Sequence, residues 1–252
     1  MNSSSVDQQL RQALSGSLPG DVGAVTKLMN NIDGVLPNSD GLKWFNTLYL
    51  LVTNEIAQHS PANGWKDPAW VTHLEVVFAG MYFGAIKATL QSSPAPASWS
   101  ALFQVRQRVD IDRIQFALAG MNAHINHDLS LALLQTDAEL GLTPDLQSPE
   151  HDDFEHVNGL LDAVLPSALK MLATGIVGEL AQDTGKIGRL LAFWDIQTAR
   201  DLAWDFADHL RGLNGLARDS HRRRRGRQRR LPAHRHASPA PRERAVPGRR
   251  DA

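Results

Sequence analysis

The stretch from Ile111 to Gln135 constrains the fold more than any other part of this 252-residue chain. Its sequence, IDRIQFALAGMNAHINHDLSLALLQ, is apolar on most sides of a helix, and such a helix is usually buried. Buried polar groups must find partners or they cost stability. Five polar side chains nevertheless lie in its middle: Asn122, His124, Asn126, His127 and Asp128. The stretch therefore predicts a buried central helix whose polar side chains form either a hydrogen-bonded core or a functional site.

The rest of the chain predicts helices and no sheet. Apolar residues recur at helical spacing in several segments that short loops join. Asp21, Asp67 and Ser148 are typical residues for the start of a helix, because their side-chain oxygens can accept backbone N–H groups of the first turn. Proline follows Asp67 and Ser148, at a position where the helix needs no backbone donor. We find no convincing strand alternation, internal repeat or glycine-rich phosphate loop. We therefore predict an all-α, single-domain bundle of roughly seven to nine helices.

Three local features refine this prediction. Residues 1–20 have short helical periodicity and polar flanks, so we expect a loose lead-in to a helical domain over residues 21–217. Gly80 and Gly84 in one helical segment indicate either close helix packing or simple tolerance of glycine. Pro166 is expected to kink or split the long helix that begins after Ser148.

Composition excludes several classes of site. The chain has no cysteine, which excludes disulfides, thiolate metal sites and a cysteine nucleophile. The N-terminus lacks a basic region followed by an apolar run, so no secretory signal is expected. The densest apolar stretch, around Val76 to Ile86, falls short of the ~18 uninterrupted residues expected for a spanning helix. We predict a cytoplasmic protein without a membrane span.

The net charge of −1 hides two opposed parts. Residues 218–252 hold 13 arginines against three carboxylates, whereas the preceding residues hold 13 Lys and Arg against 24 Asp and Glu. The basic part has almost no large apolar residue, so we predict a disordered tail. This tail either contacts nucleic acid electrostatically or is an out-of-frame C-terminus of a GC-rich gene.

His124 and Asp128 are the first candidates for chemistry. They are four residues apart, so they share one face of a helix. Imidazole nitrogen and carboxylate oxygen both suit Zn²⁺ or Fe²⁺, and further ligands must then come from elsewhere. The densest supply is His151, Asp152, Asp153 and His156, with Asp205 and His209 on the last helix. The alternative is a hydrogen-bonded pair that fixes packing, with His127 facing solvent or a loop.

Other polar residues extend this candidate site. Gln115, Asn122 and Asn126 form a second row on the same helix, where amides either bridge helices or orient a ligand. Asp153 either forms a paired-carboxylate acid/base site with Asp128 or merely favours a helix start.

The later helices supply three more candidate substrate contacts, Asn158, Arg200 and Trp204. We expect Asn158 to orient the substrate together with the central-helix amides. Arg200 needs an anionic partner, either an internal carboxylate or a ligand. Trp204, one turn on, is a ligand contact or a core aromatic.

Several blocks resemble an uncharacterised bacterial family, the domain of unknown function numbered 5995, which is common in actinobacteria. GMNAHINHDLSLALL resembles the family signature NAHIN-x-DL-x-LAL. Further blocks agree in order: DGLKWFNTLYLLVT, VVFAGMYFGAI, IQFALAG, DFEHVN, ATGIVGEL and ARDLAW. The resemblance covers roughly Val22 to Leu210. It implies a helical single domain and no settled activity, and family members tend to continue into a further apolar helix where this chain becomes arginine-rich.

A second resemblance concerns His124-x-x-x-Asp128, which is similar to the helix motif of the zinc-dependent phospholipase C and single-strand nuclease family. That resemblance implies an all-helical fold in which His124 and Asp128 ligate zinc and further histidines complete a cluster. The chain departs from the pattern, because Ala132 and Leu134 stand where proline and histidine usually follow and no second motif of this kind is present.

Three functions remain open. The leading hypothesis is a metal-assisted, hydrolase-like enzyme for a small molecule, with a pocket between the central helix and the helix that begins near His151. His124 and Asp128 would be ligands or an acid/base pair that Asp153 joins. The second is a non-catalytic helical module in which the polar row is structural. The third is nucleic-acid binding through the basic tail.

Overall fold

The computed structural model describes residues 3–58, 64–173 and 195–228. Within these ranges the chain is helical and contains no strand, which confirms the all-α prediction. The α-helices are α1 (Ser3–Ala13), α2 (Val22–Val35), α3 (Gly41–Gln58), α4 (Pro68–Leu90), α5 (Ser100–Val105), α6 (Arg113–Ala123), α7 (Leu129–Leu140), α8 (Pro149–Ala173) and α9 (Ile196–Gln228). A 3-10 turn, Ala97–Trp99, precedes α5, and a π-helical segment, His124–Asp128, joins α6 to α7.

Contacts divide the chain into two units, Met1–Gly212 and Leu213–Ala252. The first contains α1 to α8 and the part of α9 up to Gly212. The described part of the second is the remainder of α9, whose backbone is helical through the first eleven residues of the predicted tail, 218–228. The sequence placed the boundary after residue 217, and residues 229–252 of the predicted tail lie outside the described residues.

The central helix is continuous from α6 through the π-helical segment to α7, and it is buried as predicted. Ile114, Phe116 and Ala117 of α6 are at most 3% exposed, and Leu133 of α7 is fully buried. The largest helix contact in this unit is between α3 and α6. The central helix therefore brings its polar middle into the interior of the first unit.

The predicted helix starts are confirmed by capping hydrogen bonds. Asp21 accepts the backbone N–H of Ala24 at 2.7 Å, and Asp67 accepts that of Trp70 at 3.0 Å. The hydroxyl of Ser148 accepts a backbone N–H from the first turn of α8 at 3.3 Å. These short-range signals place α2, α4 and α8 because they satisfy orphan donors of the first turn.

Close packing of α3 against α6 depends on two glycines other than those considered above. A Cβ on Gly120 would lie 2.3 Å from the Phe45 ring, and one on Gly41 would lie 2.3 Å from the Phe116 ring. By contrast, a Cβ on Gly80 would meet only a leucine methyl at 3.8 Å, and one on Gly84 would meet nothing within 4 Å. The close-packing interpretation of Gly80 and Gly84 is therefore wrong.

Two other local predictions need correction. The expected loose lead-in is α1, and Val6, Leu10 and Leu14 of this segment are at most 5% exposed in the core. Arg11 fixes it by donating to the Leu90 carbonyl at 2.9 Å. Pro166 does not split α8, which runs through it to Ala173, and a kink at this proline stays a prediction.

One described helix, α4, is long and apolar enough to cross a membrane by length and composition alone. The sequence argument missed this because it required an uninterrupted apolar run. Such a helix also occurs in the core of soluble proteins, and α4 packs Trp70, Tyr82 and Phe83, each at most 1% exposed, against its neighbours. Length and composition therefore do not establish a span.

Candidate functional site

An apolar cavity of about 100 Å³ lies beside the π-helical segment. Side chains of α3, α4, the central helix, α8 and the start of α9 line it, and most of them are apolar. The ionisable side chains among them are Tyr49, Glu75, His124, Asp153 and Arg200. Concave apolar sites with a few polar groups are where small molecules most often bind.

His124 and Asp128 form a buried hydrogen-bonded pair at this cavity. His124 is 2% and Asp128 is 1% exposed, and Nδ1 of the imidazole lies 3.0 Å from Oδ2 of the carboxylate. The π-helical turn carries both residues, and its Leu129 N–H bonds to the His124 carbonyl five residues back. Single π-helical turns are rare and occur frequently at functional sites.

Three N–H donors surround the Asp128 carboxylate. Besides His124, Trp99 donates its indole N–H to Oδ2 at 2.9 Å, and Nδ1 of His127 lies 2.7 Å from Oδ1. Burial alone would raise the pKa of Asp128, but the hydrogen bonds from His124, His127 and Trp99 lower it below its usual value. Asp128 is therefore ionised at neutral pH, and both of its oxygens are already engaged.

This pairing decides which nitrogen of His124 carries the proton. Nδ1 faces an ionised carboxylate, so it is the donor, and Nε2 holds the lone pair. Burial lowers the pKa of His124 more than Asp128 raises it, so the imidazole is neutral at pH 7. Within the described residues Nε2 is buried and has no hydrogen-bond partner. His124 therefore presents an unpaired basic nitrogen in a histidine that lines the cavity.

Aromatic rings hold the imidazole in place. The Phe78 ring stacks on it with centroids 3.6 Å apart and planes 4° apart. Tyr49 and Phe45 approach its edge at 4.7 Å and 5.8 Å between centroids. The stacked Phe78 ring holds the plane of the imidazole, and the hydrogen bond to Asp128 holds its rotation within that plane. Together they fix the direction of Nε2.

Glu75 is a second unpaired group in the cavity, and the sequence analysis missed it. Its Oε1 is buried without a hydrogen-bond partner among the described residues. Burial raises the pKa of Glu75 from 4.5 to about 7. The signal was present in the sequence, because Glu75 interrupts the apolar run of α4 in the same way that His124 interrupts α6 to α7.

The raised pKa of Glu75 predicts a pH-dependent stability. The folded chain holds this proton more tightly than the unfolded chain, so the stabilisation is complete below pH 4.5 and is lost as the pH rises toward about 7. At ~1.36 kcal/mol per pKa unit, the loss amounts to about 3 kcal/mol. Urea unfolding of wild type and Glu75→Gln at several pH values should show Glu75→Gln gaining stability over wild type from pH 5 to pH 7.5. A constant difference across that range would contradict the assignment.

Asp153 lines the cavity but does not join the His124–Asp128 pair as predicted. Its Oδ1 accepts the Lys66 backbone N–H at 2.9 Å and its Oδ2 accepts that of Asp67 at 2.7 Å. Each carboxylate oxygen therefore accepts one backbone N–H, and Asp153 links α8 to the residues that immediately precede α4. The prediction that it shares acid/base work with Asp128 is not supported by this geometry.

Asn122 and Asn126 are not buried, and neither lines the cavity. Asn126 donates to the Asn122 side chain at 2.7 Å, so the two amides pair with each other on the exposed face. Gln115, expected in the same row, accepts the Asp112 backbone N–H at 3.1 Å and caps its own helix. These contacts support neither predicted role of the amides, which was to bridge helices or to orient a ligand in this cavity.

Asn158 and Arg200 bind each other across α8 and α9. The Arg200 Nε donates to the Asn158 side-chain oxygen, and Nη2 donates to the Phe154 carbonyl at 3.1 Å. The guanidinium also lies 4.1 Å from the centre of the Phe154 ring. Burial lowers the pKa of Arg200 to about 10, so it stays positive at pH 7. Within the described residues its hydrogen-bond partners are neutral acceptors, and the carboxylates of Glu155 and Asp201 interact with its charge, which favours the internal-carboxylate alternative over a ligand.

Trp204 does not line the cavity. It is 1% exposed and packs against the Phe154 ring at 5.0 Å and the His151 ring at 4.7 Å between centroids. This places it in a second apolar cluster with Trp70 and Leu133. The core-aromatic alternative describes Trp204, and its position gives no support to a substrate contact in this cavity.

The described residues do not fit a metal site. They contain no group of three or more His, Cys, Asp or Glu side chains arranged to hold an ion. Two of the predicted further ligands are engaged elsewhere: Asp152 pairs with Lys66, and the His156 ring packs against Trp65 with centroids 5.4 Å apart. Oδ2 of Asp128 accepts two N–H bonds and Oδ1 accepts one, so Nε2 of His124 is the group of the pair that has no partner among the described residues.

The fold and this site define an all-helical protein whose central helix carries a buried histidine–carboxylate pair beside an apolar cavity. The chain belongs to the family of unknown function (DUF5995), whose family model matches residues 22–235. This confirms the resemblance based on the NAHIN block, and the match extends into the arginine-rich segment. No curated protein and no solved structure matches the chain significantly. The resemblance to the zinc-dependent phospholipase C family has no support.

Proposed function

We propose that this protein is an acid–base enzyme for a small, largely apolar molecule bound in the cavity, with His124 as the general base. One observation carries the proposal: Nε2 of a 98% buried histidine has no partner while Asp128 fixes the opposite nitrogen. An unpaired buried acceptor costs stability, so a protein tolerates it where a ligand or reacting group supplies the missing donor.

The acid of the proposed reaction is Glu75. Its pKa of about 7 allows it to hold or release a proton at neutral pH, which is what efficient proton transfer requires. Burial raises the pKa of Tyr49 well above its usual value, so its phenol is not an alternative base. Among the described residues that line the cavity, the two unpaired buried side-chain atoms thus belong to a neutral imidazole and to a carboxyl group that is about half protonated at pH 7.

Hydrolysis is the reaction class that uses both groups most simply. His124 Nε2 takes a proton from water as the water oxygen bonds to an electrophilic carbon, and the Glu75 carboxyl gives its proton to the departing oxygen. Transfer of the proton from the imidazolium to the Glu75 carboxylate then restores both groups, so the net reaction consumes one water. This version needs no metal, because the imidazole itself activates the water.

His124→Asn tests the proposal with the fold kept intact. The asparagine amide can replace Nδ1–H as donor to Asp128, but it removes Nε2. General-base catalysis contributes about 10²- to 10⁴-fold, so we expect at least ~100-fold loss of kcat/KM. The assay measures acid released from small esters and lactones such as ethyl acetate and γ-butyrolactone.

The control for this assay is His73→Gln, which changes a half-exposed histidine that pairs with Glu139 outside the cavity. It should leave the rate unchanged. Equal rates for wild type and His124→Asn would overturn the proposed role of His124.

A non-catalytic helical module is the second candidate. The internal bonding of Asp153, Asn158 and Arg200 favours it, because these polar groups tie helices together rather than serve a ligand. It predicts that His124→Ala and Asp128→Ala destabilise the fold and have no separate effect on the binding of a ligand. Nucleic-acid binding by the basic tail stays a prediction, which the salt dependence of binding with and without residues 218–252 would test.

A further inference from the structure

We infer that the cavity binds one neutral molecule no larger than a single ring, with one hydroxyl group placed between His124 and Glu75. The inference rests on the proposed function and deepens it, since the ligand would be the alcohol half of the hydrolysed substrate. It follows from what the cavity offers in size, charge and hydrogen-bonding groups.

The size of the cavity sets the upper limit of the ligand. Its volume is about 100 Å³. An engineered apolar cavity of about 150 Å³ in another protein holds benzene. The part of a ligand that the cavity encloses is therefore one small ring or a short aliphatic chain at most, unless the surrounding helices separate.

The walls of the cavity favour an uncharged ligand. Leu48, Val52, Leu74 and Met121 supply apolar surface on several sides. The two remaining charged residues are engaged by the chain itself: Asp153 by backbone N–H groups, and Arg200 by Asn158 and the Phe154 carbonyl. A negative ligand would lose its hydration and compete with Glu155 and Asp201 for the Arg200 guanidinium. A positive ligand would compete with the backbone donors of Asp153.

The two unpaired groups select a hydroxyl among neutral polar groups. Nε2 of His124 can only accept a hydrogen bond, and protonated Glu75 can donate one. Both groups line the same cavity, and Glu75 lies one helical turn before Phe78, whose ring stacks on His124. A hydroxyl both donates and accepts, whereas a carbonyl would leave Nε2 unpaired and a methyl would leave both groups unpaired.

Phenol and toluene test this inference because they have the same shape and differ only in hydroxyl against methyl. Isothermal titration at pH 6 with the full chain should show that phenol binds at least as tightly as toluene, and that benzoate binds at least tenfold more weakly than phenol. Toluene binding tenfold tighter than phenol, or benzoate binding as well as phenol, would overturn the inference. Failure of all three probes to bind would overturn it as well.

Two variants assign the hydroxyl to its partners. His124→Asn should weaken phenol binding at least tenfold and leave toluene within about twofold, because only phenol uses Nε2. Glu75→Gln retains a donor, so its phenol affinity should be constant from pH 6 to pH 8, whereas the wild-type affinity should fall about tenfold over that range. Equal losses for phenol and toluene in His124→Asn would indicate altered packing and overturn the assignment.

The binding and turnover experiments test the two hypotheses separately, because each can contradict one hypothesis without contradicting the other. Loss of ester hydrolysis in His124→Asn without any preference for phenol would leave the proposed function and remove the ligand class. Preference for phenol with undiminished hydrolysis in His124→Asn would leave a hydroxyl-binding site and remove the general base.

Discussion

Gly120→Ala should lower the free energy of unfolding by about 3 kcal/mol, at the upper end of the cost of overpacking a core. A Cβ at Gly120 would lie 2.3 Å from Cγ, 2.5 Å from Cδ2 and 2.6 Å from Cβ of Phe45. Cβ and Cγ are the part of Phe45 that side-chain rotation moves least. The methyl group is therefore accommodated only if α3 and α6 move apart.

Gly84→Ala is the matched control for this experiment. It adds the same methyl group inside α4, where nothing lies within 4 Å. Alanine favours helix over glycine by ~1 kcal/mol, so Gly84→Ala should leave stability unchanged or raise it slightly. Urea unfolding of the two variants gives the comparison directly. Equal stabilities would show that α3 and α6 do not pack as closely as the structure has them.

The Gly120 contact also bears on the site. Phe45 packs against Gly120 on one side, and its ring centroid lies 5.8 Å from that of His124. A displaced Phe45 therefore removes part of the aromatic packing that orients the imidazole. We expect Gly120→Ala to disturb the His124–Asp128 pair even under conditions where the chain remains folded.

Local signals in the sequence predicted the parts of the fold that depend on neighbouring residues. Asp21, Asp67 and Ser148 each bond to an N–H within their own first turn, so a short window contains both partners. The buried central helix was equally accessible, because burial of an all-round apolar helix follows from its own composition. The pairing of His124 with Asp128 followed from their spacing of four residues.

Faces of the central helix show where the sequence argument went wrong. Each residue advances about 100° around a helix, so positions two apart point to nearly opposite sides. Asn122 and Asn126 lie two positions from His124 and Asp128 and are exposed, whereas His124 and Asp128 are buried. The four residues therefore belong to two different faces of the helix, and their spacing in the sequence is enough to predict this.

Other features depend on tertiary contacts that no short window contains. The role of Gly120 depends on Phe45, a residue of another helix. The backbone donors of Asp153 come from residues 66 and 67, and the donor of Asp128 at Trp99 comes from a separate turn. Oε1 of Glu75 lies without a partner among the described residues because several different helices supply the apolar lining of its cavity. Sequence patterns mark such residues as unusual but do not identify their partners.

Asp128→Asn is expected to lower the free energy of unfolding by about 3 kcal/mol at pH 7, the upper end of the net contribution of hydrogen bonds to a charged group. The carboxylate accepts N–H bonds from His124, His127 and Trp99, and it is 1% exposed. An asparagine amide replaces one acceptor oxygen by a donor, which then faces another donor. At least one of the three N–H groups loses its partner in the interior.

The pH dependence of this loss follows from the lowered pKa of Asp128. The folded state holds its proton less tightly than the unfolded state, so the stabilisation is present above pH 3.8 and is lost as the pH falls through the lower folded-state pKa. The stability difference between wild type and Asp128→Asn should therefore persist from pH 7 to pH 5, and it should grow below pH 6.5 because the variant also loses the Asp128 interaction that raises the pKa of His124. Asp162→Asn, on the exposed side of α8, should change stability by less than about 0.5 kcal/mol.

Comparison of Asp128→Asn with His124→Asn separates the structural from the chemical part of the pair. His124→Asn removes Nε2, and Asp128→Asn removes the carboxylate that keeps the proton on Nδ1. Both variants should therefore lose turnover. His124→Asn retains an N–H donor toward Asp128 and should keep most of the stability, whereas Asp128→Asn should lose it. If His124→Asn is as unstable as Asp128→Asn, the pair is needed to hold the helices together, and the loss of turnover says nothing about a general base. A stable, inactive His124→Asn beside an unstable Asp128→Asn requires that the carboxylate supports the fold and orients the imidazole, while Nε2 performs the chemistry.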